Sequence, residues 1–332
     1  MKITILGTGA WGSALSLLLA KNGHQITLWS ALRWQLEEIR NTHKINSVIK
    51  GILFPENFII EDDIHIATKD ADVVVVAIAS QYFRQSTETI ETFKGPVISV
   101  TKGIEFESGL TMSGILKETI PNCIPVALSG PSLAGEVIQG IPTAVVAASH
   151  SPEHALLAQE LFHSPVFRVY TGNDIIGVEL GGALKNIIAI GAGICDGMGF
   201  GANSKAALLT RAIVEIRRLG VALGARPETF VGLSGLGDLM VTCFSPLSRN
   251  RYVGEHLGRG EKIKDILAGM NAVAEGVPTA ASAKRLIQKH QIDAPIISEI
   301  YSILHENKDI KESITHLIGR TQKSEQMDTF SI

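Results

Sequence analysis

A glycine loop near the start of the chain restricts its folding more than any other feature. Residues 2 to 6, "KITIL", form a short apolar run of strand type, "GTGAWG" follows at Gly7 to Gly12, and "SALSLLLA" continues with helical spacing. A strand that turns into a helix over so few residues needs a tight turn at Gly7, exposed backbone at Gly9 where another group comes close, and helix-to-sheet packing without a Cβ at Gly12. The first N–H groups of such a helix point out of the loop, and the helix dipole favours an anion there. The pattern GxGxxG is weak alone. Set between a strand and a helix, with "HQITLW" (24 to 29) following as a second strand, it predicts a dinucleotide pyrophosphate at the loop. Residues 3 to 20 are also uncharged after Lys2, as in a signal peptide or a membrane span. An export segment gains nothing from closely spaced glycines, so no membrane insertion is expected.

Strand-length apolar runs continue through the first half: "KITIL" (2 to 6), "ITLW" (26 to 29), "IHIA" (64 to 67), "DVVVVAI" (72 to 78), "PVISV" (96 to 100), "IPVALS" (124 to 129), "TAVVAA" (143 to 148) and "VFRVY" (166 to 170). Unbroken apolar runs suit strands covered on both faces, as in a parallel sheet flanked by helices. From about Asp174 helical periodicity takes over, in "TRAIVEIRRLGVALG", "TAASAKRLIQKHQ", "PIISEIYSILHEN" and "IKESITHLIG". The expected architecture is α/β: a doubly wound Rossmann-type domain over residues 1–172, then an all-α domain over 173–332, closing on a frayed polar end, "RTQKSEQMDTFSI". A length of 332 residues accommodates two domains.

The charge balance, 33 acidic against 30 basic residues with no block of one sign, lacks the footprint of a nucleic-acid binder and points to small-molecule partners. Cys123, Cys195 and Cys243 lie far apart with no CxxC, which fits a reducing, cytoplasmic setting. "HSPEH" (150 to 154) has the letters of a zinc-peptidase motif, but Ser151 and Pro152 read as a helix cap and first position, so His150 cannot share a helix face with His154. No metal site is expected. "LSGLGD" (233 to 238) is no nucleophile elbow, since its serine is not between the glycines.

The second half carries one unusual cation. "ELGGALKNIIAIGAG" (179 to 193) places Lys185, with Asn186 beside it, in a run of glycine, alanine, leucine and isoleucine. A helix apolar nearly all round is buried, and desolvation lowers a lysine from about 10.4 toward the range of a usable proton acceptor. The alternative is a lysine at a helix edge that reaches water. Glycines at 181, 182, 191 and 193 each cost about 1 kcal/mol in a helix, and make sense where another backbone or a ligand comes close. Further on, Asp238 sits in a glycine-rich turn, and Arg249 and Asn250 of "SRNR" offer donors to a phosphate, or else form a solvated helix start capped by Ser248. After the second strand, Ser30 stands where an NAD-binding domain usually has an acidic residue, and Arg33 follows. A serine with a nearby guanidinium accepts a 2′-phosphate that a carboxylate would repel, which favours NADP alongside NAD. The alternative is a solvated Arg33 at the start of the next helix.

Seven ordered stretches carry a family resemblance: "GTGAWGSALS", "VTKGIE", "LSGPSLAGE", "GVELGGALKNIIAIGAGICDGMGFGANSKAALLTRA", "GLSGLGDLMVTC", "SRNRYVGEHLGRG" and "AVAEGVPTA". In these the chain resembles the bacterial NAD(P)-dependent glycerol-3-phosphate dehydrogenase family over nearly its whole length. The resemblance implies reversible NAD(P)H-dependent reduction of dihydroxyacetone phosphate to sn-glycerol 3-phosphate, serving glycerophospholipid synthesis. It implies Lys185 as proton acceptor, and Lys102, Gly130, Ser132, Lys185, Asp238, Ser248, Arg249 and Asn250 as substrate contacts. For the cofactor it implies Trp11, Arg33, Lys102, Ala134, Arg249, Val273 and Glu275, beside the loop glycines Gly7, Gly9 and Gly12. A homodimer is the oligomer to test. Two departures touch cofactor preference: Ala10 stands where the family often has serine or glycine, and "LWSALRWQ" replaces a more polar stretch. The other readings are a β-hydroxyacid dehydrogenase, which typically has an asparagine about four residues after the lysine where this chain has Ala189, and a nucleotide sensor without chemistry.

Overall fold

The computed structural model describes residues 1–45, 51–270, 273–322 and 324–325, and its contacts divide the chain into two compact units. One comprises Met1–Thr101 with Met112–Ile175, the other Lys102–Thr111 with Ile176–Ile332. The change after Ile175 falls close to the expected boundary at 172. The return of Lys102–Thr111 to the second unit has no counterpart in the sequence reading.

The first unit is built on eight strands, β1 (Lys2–Leu6), β2 (Gln25–Trp29), β3 (Ile59–Ile60), β4 (Val73–Val76), β5 (Gly95–Ser99), β6 (Cys123–Ser129), β7 (Thr143–Ala148) and β8 (Phe167–Gly172). They form one sheet in the order β3-β2-β1-β4-β5-β6-β7-β8. The first six run parallel, β7 is antiparallel to β6, and β8 is parallel to β7. Strand order reverses between β1 and β4, the position at which sheets of this kind open a crevice beyond their carboxyl ends. Every residue of β4 is buried, as expected of a strand covered on both faces. The helices of this unit are α1 (Ala10–Lys21), α2 (Arg33–Thr42), α3 (Ile64–Lys69), α4 (Ser80–Glu88), α5 (Met112–Thr119), α6 (Ala134–Ile138) and α7 (Pro152–Phe162).

The stretch "IHIA", expected as a strand, is the start of α3. The Asp63 side chain accepts from the backbone N–H groups of His65 and Ile66, and Ile64, Ala67 and Thr68 bury one helical face. A four-residue apolar run looks alike in both periods, and the cap decides between them. The strand it displaced, β3, has two residues, too few for a pattern to show. Ser151 caps α7 with Pro152 in its first turn, so His150 lies outside the helix.

The second unit contains the helices α8 (Ile175–Gly197), α9 (Ala202–Ala222), α10 (Asp238–Phe244), α11 (Arg249–Gly258), α12 (Ile263–Ala268), α13 (Gly276–His290), α14 (Pro295–His305) and α15 (Ile310–Ile318). Among the described residues, α8 is the one helix long and apolar enough to cross a membrane, and it is the buried centre of this unit. Glycines set how closely it packs on α11. A Cβ on Gly193 would lie 2.0 Å from the Arg251 carbonyl oxygen, and one on Gly254 would lie 1.9 Å from that of Ile190. Gly181 meets the Ser234 carbonyl oxygen and Gly191 the Ile300 side chain. Of the two uses open to Gly181, Gly191 and Gly193, packing against protein is the one the fold makes of them. The polar carboxyl end expected to fray falls partly outside the described residues.

Candidate active site

In the first unit the loop after β1 is shaped for a ligand approached by backbone. Gly7 has φ +109°, in the positive range that other residues rarely adopt, and a Cβ there would sit 2.5 Å from the Ala77 carbonyl oxygen. At Gly12 a Cβ would lie 2.0 Å from the Gly7 carbonyl oxygen, so the helix can rest on the turn only as glycine. Gly9 differs: a Cβ there meets no protein atom within 4 Å, and the residue caps α1 with no side-chain hydrogen bond. No side chain caps the first turn of α1, and no acidic side chain in that turn opposes an anion. These features fit a dinucleotide pyrophosphate. Trp11, the second residue of α1, is half-buried with its indole N–H unpaired.

At the end of β2 the Ser30 hydroxyl lies 3.1 Å from Gln35 Oε1 and accepts from the Leu32 N–H, while Thr8 donates to the same Gln35 oxygen at 2.6 Å. This knot ties the glycine loop to α2 and commits the single Ser30 proton. Arg33 stands exposed as the first residue of α2. After β6, Gly130 takes φ +153° against Val145, whose Cα would be 2.9 Å from an added Cβ, and the Ser132 hydroxyl donates to the Gly130 carbonyl. Ala134 opens α6. The turns after β1, β2 and β6 all lie at carboxyl ends of parallel strands.

In the second unit three segments distant in sequence meet. Lys185, near the middle of α8 and 6% exposed, donates from Nζ to Asp238 Oδ1 at 2.5 Å and to Thr242 Oγ1 at 2.6 Å. Lys102 donates to the other oxygen, Asp238 Oδ2, also at 2.5 Å. Thr242 gives its own proton to the Asp238 carbonyl at 2.7 Å, so its oxygen is turned to accept from Lys185. The buried Asp238 carboxylate is thus shared between two ammonium groups. Asp238 is the first residue of α10, and the turn before it, Leu233–Gly237, is a single π-helical turn. That turn packs where only glycine fits, with a Cβ on Gly235 lying 2.2 Å from the Phe230 carbonyl oxygen.

Burial pushes Lys185 down to about 8, with the neighbouring Lys102 cation lowering it further and Asp238 opposing both. Burial also pushes the nearby Cys243 thiol up to about 12, so it adds no anion near neutral pH. Two ammonium groups around one carboxylate leave an excess positive charge, suited to an anionic substrate.

A second polar group forms where α8, α11 and α13 meet. The Gly276 N–H donates to Asn250 Oδ1 at 2.8 Å, and Asn250 Nδ2 donates to Asn186 Oδ1 at 2.9 Å. A backbone N–H has only one polarity, so it orients both amides. A Cβ on Gly276 would be 2.5 Å from the Asn186 carbonyl oxygen, which makes this junction tight. Ser248 caps α11 by accepting from the Arg251 N–H, as the solvated-helix alternative anticipated, and Arg249 begins that helix exposed. Partial burial of the Arg249 guanidinium lowers it from its ordinary range, Glu275, directly before α13, opposes that shift, and Val273 is exposed nearby in the chain.

Lys102, Lys185 and Asp238 are therefore in direct contact. Ser248, Arg249 and Asn250 form the start of α11, and Gly130, Ser132, Ala134, Trp11 and Arg33 belong to the sheet-bearing unit. Thr242 and the role of Asn186 as an acceptor escaped the sequence reading. Thr242 stands four residues after Asp238, the spacing that stacks side chains on one helical face, and that could have marked it.

Comparison with known proteins places the chain in a family. Residues 2–155 match the model for the NAD-dependent glycerol-3-phosphate dehydrogenase N-terminus, and residues 174–315 match that for the C-terminus. The chain is 46% identical over 328 residues to a glycerol-3-phosphate dehydrogenase [NAD(P)+] of Thermoanaerobacter sp., covering 98% of this chain and 99% of that one. It is 44% identical to the enzyme of the same name from Prosthecochloris aestuarii, covering 98% and 100%. The crystal structure of glycerol-3-phosphate dehydrogenase from Coxiella burnetii superposes with a TM-score of 0.93 at 34% identity, over 96% of this chain and 99% of that one. With both halves matched and relatives alike over their full length, the chain belongs to the NAD-dependent glycerol-3-phosphate dehydrogenase family.

Proposed function

We propose that this protein interconverts dihydroxyacetone phosphate and sn-glycerol 3-phosphate with NADP(H) or NAD(H), using Lys185 to exchange the proton on the C2 oxygen. One observation carries the assignment of the base: a buried lysine lowered to about 8, held by Asp238 and Thr242 beside a second cation. A nicotinamide cofactor, when bound, would supply or accept the hydride at C2. Gly7, Gly9 and Gly12, with Trp11, Arg33 and Ala134 at the start of α6, are the residues of the first unit that would hold it.

In oxidation, neutral Lys185 takes the hydroxyl proton from C2; in reduction, its ammonium returns a proton to the oxygen formed there. Asp238 orients the Lys185 amine and keeps the charged form accessible despite burial, and the Thr242 oxygen fixes the remaining direction. Lys102 stabilises negative charge on the C2 oxygen and lowers Lys185 toward the working range. Arg249 and the second N–H of the Asn250 amide, with Ser248, bind the phosphate and glycerol oxygens. Arg33 contributes NADP use through the 2′-phosphate. Its exposure supports the reading, while Ser30, whose proton is committed to Gln35, takes a structural part. Residence in the cytoplasm, a homodimer and service to glycerophospholipid synthesis belong to the same proposal, and sedimentation velocity measures the oligomer.

The test is the pH dependence of the two directions. Reduction needs the Lys185 ammonium, so its rate should fall as pH rises through about 8; oxidation needs the free amine and should rise through the same range. Parallel profiles in both directions would remove Lys185 from proton transfer. Turnover of a 3-hydroxyacid in preference to glycerol 3-phosphate would remove the substrate assignment.

A further inference from the structure

We propose that Ser282 and Arg285 of α13 are positioning residues for this reaction: they clamp the Lys102–Thr111 loop so that the Lys102 ammonium stays on Asp238 beside Lys185. The inference rests on the reading of Lys102 as a group that acts at the substrate.

Lys102 lies on no helix or strand. The loop it opens interrupts the sheet-bearing unit in sequence, between β5 and α5, yet its contacts belong to the helical unit. Internally the loop closes on itself through the Glu105 N–H to the Leu110 carbonyl and the Gly109 N–H to the Glu105 carbonyl, both 2.9 Å, with a bridge between Ile104 and Thr111. That closure shapes the loop without saying where it sits. Its seat comes from one face of α13. The buried Ser282 hydroxyl donates to the Ile104 carbonyl at 2.9 Å, and Arg285 Nη1 donates to the consecutive carbonyls of Phe106 and Glu107 at 2.8 and 2.9 Å. The Arg285 guanidinium also lies 5.6 Å from the centre of the Phe106 ring. Leu286 completes the face under Gly109, whose φ of +77° turns the loop back.

Positions 282, 285 and 286 share a helical face through i, i+3 and i+4 spacing, so three points of the loop rest on one rigid element. Ile104, two residues after Lys102, is itself in the helical unit's core. The Lys102–Asp238 pair is 19% exposed on the lysine side, and a partly solvated ion pair on an unsupported loop holds a long side chain weakly. Clamping the backbone two to five residues away shortens the reach over which Lys102 can wander. A 1 Å misplacement at a reacting site can cost about 10²-fold, so modest slack is measurable.

The experiment is a mutant cycle on the full-length enzyme, read as kcat/KM for dihydroxyacetone phosphate with thermal melting alongside. Its members are Lys102→Ala, Ser282→Ala with Arg285→Ala, and the triple variant. The clamp substitutions should lower kcat/KM about 10-fold in the parent and less than about twofold in the Lys102→Ala background, because a residue acting through Lys102 has nothing left to position. Arg285→Lys, which keeps the charge and a donor, should restore part of the loss. The pH midpoint of reduction should move upward in Arg285→Ala as the Lys102 cation leaves Lys185, a shift that simple destabilisation does not produce. Equal losses in both backgrounds would overturn the clamp and leave the Lys102 reading intact. Near-normal kinetics of Lys102→Ala would overturn the Lys102 reading itself, and the clamp with it. Should the paired substitution fail to fold, Arg285→Ala alone, at an exposed position, supports the same comparison.

Discussion

The turn after β1 and the cluster around Lys185 handle charge by opposite means. The turn works with backbone: Gly7 and Gly12 let a strand, a turn and a helix approach within contact distance, and a Cβ on Gly9 would meet no protein atom within 4 Å. The cluster works with side chains from positions 102, 185, 238 and 242, and Lys185 lies 53 residues from Asp238, which lies 136 from Lys102. A backbone site is written in consecutive residues because the constraint is local. A side-chain site needs a fold to gather it, and in return can tune a proton affinity, as burial and Lys102 do for Lys185. Glycine itself divides along the same line. At Gly9 it leaves room for something outside the protein, whereas at Gly193, Gly197, Gly254 and Gly258 it lets α8 and α11 touch backbone to backbone.

The contrast can be broken at four places. Lys185→Ala should cut turnover by about 10²-fold or more while cofactor affinity, followed by NADPH fluorescence, stays near that of the parent. Loss of cofactor binding in that variant would mean the two regions are not separable functions. Gly193→Ala should cost about 3 kcal/mol or more in denaturant unfolding, since its Cβ would lie 2.0 Å from the Arg251 carbonyl oxygen and α8 and α11 must part. A stable variant with weakened substrate binding would instead make that glycine a ligand clearance. Gly9→Ala should show the reverse signature, an unchanged melting temperature with KM for NADPH raised about 10-fold, because its Cβ meets nothing in the protein within 4 Å. The smallest expected effect is in Arg33→Ala, a rise of about threefold in KM for NADPH with NADH unaffected, as befits one exposed guanidinium on a phosphate. Equal effects on both cofactors would assign Arg33 to the shared part of the dinucleotide.

Legibility in the sequence followed the range of each interaction. "KITIL", "TAVVAA" and the buried "VVVV" are strands as their apolar runs indicate, and the glycine loop joins β1 to α1. "IHIA" is a helix because a carboxylate one residue upstream captures two backbone N–H groups, an event that a hydropathy pattern does not record. The antiparallel turn of β7 against β6 likewise leaves no mark in strand composition. Lys185 stood out as an ammonium in an apolar helix, and the structure decides for burial over a helix edge that reaches water.

The sequence alone determined that a glycine loop joins the first strand to the first helix, that a sheet-bearing half precedes a helical half, and that one ammonium stands in an otherwise apolar run. Each of these is decided by neighbours in the chain: glycine conformations, apolar periodicity, the cost of placing a charge among alkyl groups. Only the tertiary structure decided that Asp238 is shared by Lys185 and Lys102, that Thr242 accepts from the base, that the Gly276 N–H sets two amides, and that Lys102–Thr111 rests on α13. Those contacts join residues tens of positions apart, and such pairings exist only once the packing of whole helices has placed them within hydrogen-bond reach.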